Sequence, residues 1–250
     1  MSGAASPARA VAAMTAVELR LTLRRGENLL ATIAIPAAVL VLFATVGILP
    51  TGAPHPVDFL LPGTISLGII ATTLVSLGIT TAYDRSYGVL KRLGGSPLTR
   101  GELVIARVVT VLVIEAVQIV LLVVVAAAVL GWRAGPGASP ALVLVAVLLG
   151  TAAFAGLGLL LAGTLRAETV LALANLLFLA FMIVGGVIVP IGLLPAPLAA
   201  VAGALPGAPL TELFRIALGA AGGDAVSAVV LLGAWAVVTL GLAARRFRWE

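Results

Sequence analysis

Six runs of apolar residues, 29–49, 60–82, 103–130, 141–165, 170–189 and 225–244, limit what this chain can fold into. A helix rises about 1.5 Å per residue, so about 20 apolar residues cross a hydrocarbon layer of about 30 Å. Each run is long enough. The expected fold is therefore all-α, a polytopic membrane protein with six transmembrane helices in a single domain, 1–250. Hydrophobic residues make up 62% of the chain and charged residues 10%, against about 25% charged in an ordinary soluble domain.

Placing the N-terminus in the cytoplasm puts Arg9, Arg20, Arg24 and Arg25, then Arg85, Lys91, Arg92, Arg100 and Arg107, then Arg166, then Arg245, Arg246 and Arg248 on the inside. Only Arg133 and Arg215 remain outside. Basic residues gather on the cytoplasmic side of membrane proteins, so both termini are expected there. Topology thus accounts for the excess of 15 Lys+Arg over 10 Asp+Glu. A nucleic-acid face would need many exposed charges, and this chain has few to place. With no cysteine and His55 as the one histidine, disulfides, thiolate metal sites and histidine clusters are excluded. Lys91 is the one lysine among the basic residues, and Ala, Gly and Pro are abundant. That composition suggests a GC-rich bacterial genome, hence a multi-pass protein of the bacterial cell (inner) membrane.

Residues 1–26 are too polar for too long to be a usual cleavable signal. Ser6-Pro7 is a helix start, a cap residue followed by proline at the first helical position. Met14, Val17 and Leu21 recur at helical spacing, while Leu19 and Leu23 fall opposite. The expectation is an amphipathic helix on the cytoplasmic leaflet; the alternative is a frayed basic tail.

The segment 83–102, YDRSYGVLKRLGGSPLTRGE, interrupts the apolar sequence with Asp84, Arg85, Lys91, Arg92, Arg100 and Glu102. On a helix Val89, Leu90 and Leu93 share one arc, with Lys91, Arg92 and Arg85 roughly opposite. Gly94-Gly95 supplies a stop, Pro97 prevents continuation, and Thr99 with Glu102 makes a capping box for the next span. Physical reasoning leaves two readings open: a helix resting on anionic headgroups, or one gripping a partner. No GxxxxGKS or GxxxxGKT occurs, so a phosphate-binding loop of that kind is excluded.

This segment resembles the cytoplasmic loop of permeases of the type 2 ABC exporter family, whose pattern runs roughly E-R-E-x-G-T-L-K-x-L-x-x-S/T-P-L/V-S/T-R. Arg85, Gly88, Leu90, Lys91, Leu93, Ser96, Pro97, Leu98, Thr99 and Arg100 match it, whereas Asp84, Ser86 and Val89 depart from it. The resemblance implies a coupling helix that docks on a separate ABC ATPase, with Asp84, Arg85, Tyr87, Gly88, Val89, Leu90, Lys91, Arg92, Leu93, Ser96, Pro97 and Leu98 as its coupling residues. A second block, 185–218, resembles the family's connection between the fifth and sixth spans through Pro190, Leu194-Pro195, Leu205-Pro206 and Arg215. It implies a re-entrant segment, 190–215, sealing the outer side. The implied assembly is two permease chains, alike or related, with two ATPase subunits. This chain would bind no cofactor, and ATP and Mg would sit in the partner. The substrate class would be hydrophobic or amphiphilic: a drug, a lipid or a glycolipid.

Proline content independently bars one continuous helix across 190–209. Glu115 lies well inside the third run, where an acid costs at least a few kcal/mol unless paired, protonated or wet. Gln118 shares its face. Glu115 reads either as a pathway or proton-relay group or as a hydrogen-bonded helix contact. Thr72, Ser76 and Asn175 are further pathway candidates, with Thr72 and Ser76 at i, i+4. Against these stands the reading in which small hydroxyl residues pack helices and bond back to their own carbonyls. The rival function is a proton-coupled secondary transporter using Glu115, which predicts interrupted inverted repeats that are not evident here. An intramembrane enzyme lacks parts: there is no HExxH, no cysteine and no Asp within a run. A structural scaffold would leave the loop pattern unexplained.

Overall fold

The computed structural model describes residues 6–24, 26–47, 55–90, 99–220 and 222–246, and among them every regular element is helical. Helix α1, Pro7–Arg24, starts at the expected Ser6-Pro7 step, and α2 spans Gly26–Val46. Next come α3, Pro56–Ile70, a π-helical segment, Ala71–Leu77, and α4, Gly78–Ser86, which together form one rod from Pro56 to Ser86. The remaining long helices are α5, Arg100–Leu130, α6, Pro140–Thr164, α7, Ala167–Val184, and, after two short ones, α10, Ala225–Arg246.

Among the described residues, five helical stretches are long and apolar enough to cross a membrane: Pro56–Ser86, Gly101–Leu130, Pro140–Thr164, Ala167–Val184 and Ala225–Arg246. They fall on the second to sixth expected runs. The first run falls on α2, whose side chains are described from Ala34 onward; the apolar piece Ala34–Val46 is shorter than a span.

Local signals explain several ends. Thr99 and Glu102 form the expected capping box, with Thr99 N–H donating to Glu102 Oε2 at 2.7 Å and Glu102 N–H donating to Thr99 Oγ1 at 3.3 Å. Ser139 caps α6, followed by Pro140 at the first helical position. Helix α7 stops at Val184, short of the expected 189. Gly186 takes φ +70° there, a left-handed turn that a side chain would resist. Prolines then divide residues 190–217 into a 3₁₀ turn, Ile191–Leu193, α8, Ala196–Ala204, and α9, Gly207–Ala217. The linker closes onto α3: a Cβ on Gly63 would come within 2.7 Å of the Val187 carbonyl oxygen.

The rod lies at the centre, with α2, α5, α6, α7 and α9 packed around it, while α6 and α10 run along each other. Most of its surface is buried against the other helices, whereas α7 and α10 turn most of theirs outward. Small residues permit the closest approaches. Gly78 on α4 meets Gly158 on α6. A Cβ on Gly156 would collide with Thr239 Oγ1 and reach within 2.8 Å of Leu240 N on α10. Such backbone proximity increases dispersion contact where no water is available to drive association. Thr239 also donates across this seam to the Ala153 carbonyl at 3.0 Å.

Gly156→Leu should therefore destabilise the folded protein in detergent by about 1 to 3 kcal/mol. Gly241→Leu, on a part of α10 with nothing near its Cβ position, should stay within about 0.5 kcal/mol of the parent. Thermal or denaturant unfolding of both variants checks this, and equal melting points would contradict the seam.

Candidate functional site

Two polar constellations interrupt the apolar bundle, and both involve the rod. The first lies where the rod ends. Helix α4 stops at Ser86, Tyr87 caps it, and Gly88 turns the chain at φ +69° before Val89 and Leu90 resume helical backbone. Tyr87 stacks on Tyr83, with ring centroids 5.8 Å apart, yet stays 68% exposed. Leu90, expected on the buried arc of an amphipathic helix, is 2% exposed within the chain itself. Lys91, Arg92, Leu93, Ser96, Pro97 and Leu98 lie outside the described residues.

Two arginines hold the root of this loop. Arg85 Nη2 donates to the Leu165 carbonyl, at the turn between α6 and α7. Arg107, near the start of α5 and 7% exposed, gathers three elements. Its Nη1 donates to Thr81 Oγ1 at 2.8 Å, its Nη2 pairs with Asp84, and its Nε lies 3.3 Å from Glu18 Oε1 on α1. The Glu18 contact is an ion pair in which Nε makes no hydrogen bond. Burial pushes the Glu18 carboxyl above its ordinary 4.5, with the Arg107 charge opposing that shift and Asp84 adding to it.

Helix α1 docks on α5 through Val11, Thr15, Glu18 and Leu19, which are less exposed than their neighbours, and the Thr15 hydroxyl reaches the Ala106 carbonyl at 3.4 Å. Val17 and Leu21, from the stripe expected to face lipid, are half-exposed on the outside.

The second constellation is Glu115, which has no exposed surface. Thr72, in the π segment, donates to Glu115 Oε1 at 2.9 Å, and Thr151 on α6 donates to Oε2 at 2.6 Å. Thr72 also lies within hydrogen-bond reach of the Gly68 and Ile69 carbonyls, at 3.0 and 3.1 Å. Gln118 is buried against Gly68, whose Cβ position is 2.8 Å from its amide. Glu115 thus joins α5 to the rod and to α6.

Of the pathway candidates, the structure brings Glu115, Gln118 and Thr72 together. It leaves Ser76 exposed, because the wider turns of the π segment break the α-helical i, i+4 stripe. Asn175 is exposed on α7, donating to its own Leu171 carbonyl at 2.7 Å. Pro190 and Pro195 flank the 3₁₀ turn, and Pro206 precedes α9. Arg215 on α9 is buried. Its Nη2 donates to the Gly186 carbonyl, its guanidinium lies 4.1 Å over the Phe59 ring, and Glu212 is 3.8 Å away.

Sequence reasoning missed Thr151, and it counted Arg107 only as a topology marker. A charge several residues inside an apolar run was the available signal for Arg107. Nothing local distinguishes Thr151.

A family described as ABC-2 type transporter matches residues 9–218. The chain belongs to that family. It is a multi-pass membrane domain of an ABC-2 type transporter, a transport domain rather than a catalytic one. No curated protein matches the sequence. The matched region of this ABC-2 domain takes in α1, the rod, the loop root, Glu115 and Arg215.

Glu115→Gln keeps an oxygen to accept from Thr151 and gains an amide that donates to Thr72. Its unfolding free energy should fall by no more than about 1 kcal/mol. Glu115→Ala removes the acceptor of both threonine hydroxyls and opens a cavity, costing about 2 to 4 kcal/mol. A stability series in detergent checks the order, and an equal loss in both variants would contradict the pairing described.

Proposed function

We propose that this chain is the permease subunit of an ATP-driven exporter, moving a hydrophobic or amphiphilic substrate (drug, lipid or glycolipid) outward across a bacterial cell (inner) membrane. In this reading both termini and the loop 83–102 are cytoplasmic. A separate ABC ATPase, in two copies, binds ATP and Mg and docks on that loop. The chain pairs with a second permease, identical or related, to complete the pathway. Residues 190–215 form the external re-entrant segment, and α1 lies on the inner leaflet.

The observation that carries this reading is the root of the loop. An exposed aromatic, Tyr87, stands beside a turn whose base is tied by Arg85 to the α6–α7 turn and by Arg107 to α5. An exposed aromatic on a firmly held base is the kind of group that anchors protein interfaces. The sequence holds no phosphate-binding loop, which supports an ATP site outside these residues. The proton-coupled rival has less support: both Glu115 oxygens already accept threonine hydroxyls, and the residue has no exposed surface.

Co-purification with a co-expressed ABC ATPase subunit tests the reading. Tyr87→Asp should lower ATPase recovery about tenfold or more, because an interface aromatic is replaced by a charge that must be desolvated. The purified permease alone should hydrolyse no ATP above background. Full ATPase recovery with Tyr87→Asp, or robust turnover by the isolated chain, would defeat the docking assignment.

A further inference from the structure

Arg107 is the one group among the described residues that contacts both the N-terminal helix and the root of the loop through side-chain charge. Its partners differ in kind. Thr81 and Asp84, both on α4, take hydrogen bonds from the two terminal nitrogens, whereas Glu18 on α1 holds only an ion pair with Nε. Asp84 opens the loop motif and lies three residues before exposed Tyr87.

A guanidinium is a rigid planar fork, so three partners around it fix one another's directions. Removing one partner from a buried charge is strongly unfavourable. The end of α4 therefore cannot leave α5 without stripping Arg107 of Asp84, and the two must move as one body. Helix α1 is bound more loosely. The Glu18 carboxyl is disfavoured in its charged form by burial, and its pairing lacks a hydrogen bond.

We propose that Arg107 is the positioning residue of the docking loop, and that Glu18 makes helix α1 a second, weaker arm of the same clamp. Displacement of the loop then passes through one guanidinium to α5 and to α1, whose outer face carries Val17 and Leu21. This deepens the docking reading above and rests on it.

The chain contains no cysteine, so Arg20→Cys and Ser86→Cys, at exposed positions on α1 and α4, take spin labels without competition. Pulsed dipolar spectroscopy then reads the distance between them in the permease–ATPase complex in liposomes, and co-purification reads docking. The parent should give a narrow distribution. Asp84→Asn and Arg107→Met should broaden it and lower ATPase recovery about tenfold, equivalent to about 1.4 kcal/mol. Arg107→Lys keeps the charge without the fork, so it should restore recovery only in part and leave the distribution broader than in the parent. Glu18→Gln should broaden the distribution with a smaller loss of recovery. Tyr87→Asp should lose the ATPase while the distribution stays narrow. A narrow distribution in Arg107→Met and Glu18→Gln overturns the clamp, as does parental ATPase recovery in Arg107→Met when Tyr87→Asp loses it. ATPase retained by Tyr87→Asp instead overturns the docking reading and leaves the distances to judge the clamp alone.

Discussion

Hydrocarbon offers no hydrogen bonds, and this single constraint orders the polar chemistry of the fold. A donor or acceptor left unmatched in lipid costs several kcal/mol, so each polar side chain in the spans needs a partner from the chain. The hydroxyls of the rod use their own helix: Thr64 donates to the Leu60 carbonyl and Ser66 to Pro62. Glu115 cannot do this and recruits threonines from two other elements. What would be a minor surface contact in a soluble protein becomes a fixed tie between α5, the rod and α6.

The same constraint explains why the rod is central. It carries the densest set of hydroxyl residues, of which Thr64, Ser66, Thr72, Thr73 and Thr81 are buried against neighbours and do not face lipid. Glycines on the opposing helices bring backbones together where side chains would hold them apart. The π segment changes the direction of its side chains partway along the rod, turning Thr72 inward and Ser76 outward. Packing and polar satisfaction thus meet at the level of Glu115.

At the ends of the bundle the polar groups have a different role. Arg107 and Arg215 are both buried arginines: at the loop root Arg107 ties α5 to α4 and α1, and Arg215 ties α9 to the linker after α7 and to Phe59 of the rod. Arg215 holds irregular backbone to the bundle through the Gly186 carbonyl, as non-helical segments near a membrane require protein cover. In the docking reading proposed above, such ties matter because a loosely held loop would absorb motion instead of passing it on.

The sequence alone was sufficient for the class of fold, the spans two to six, the capping box at Thr99, the start of α1 and the broken path after α7. Each depends on local properties: apolar length, a cap residue, a proline. The family pattern around Arg85 and Gly88 was legible for the same reason, since it is contiguous. Tertiary structure alone decided that Thr72 meets Glu115 while Ser76 does not, that Thr151 supplies the second hydroxyl, and that Glu18, Asp84 and Arg107 share one site. Glu18 and Arg107 are separated along the chain by the end of α1, all of α2 and the whole rod. Only the rotation and crossing of packed helices could bring them together, and no local preference encodes that rotation.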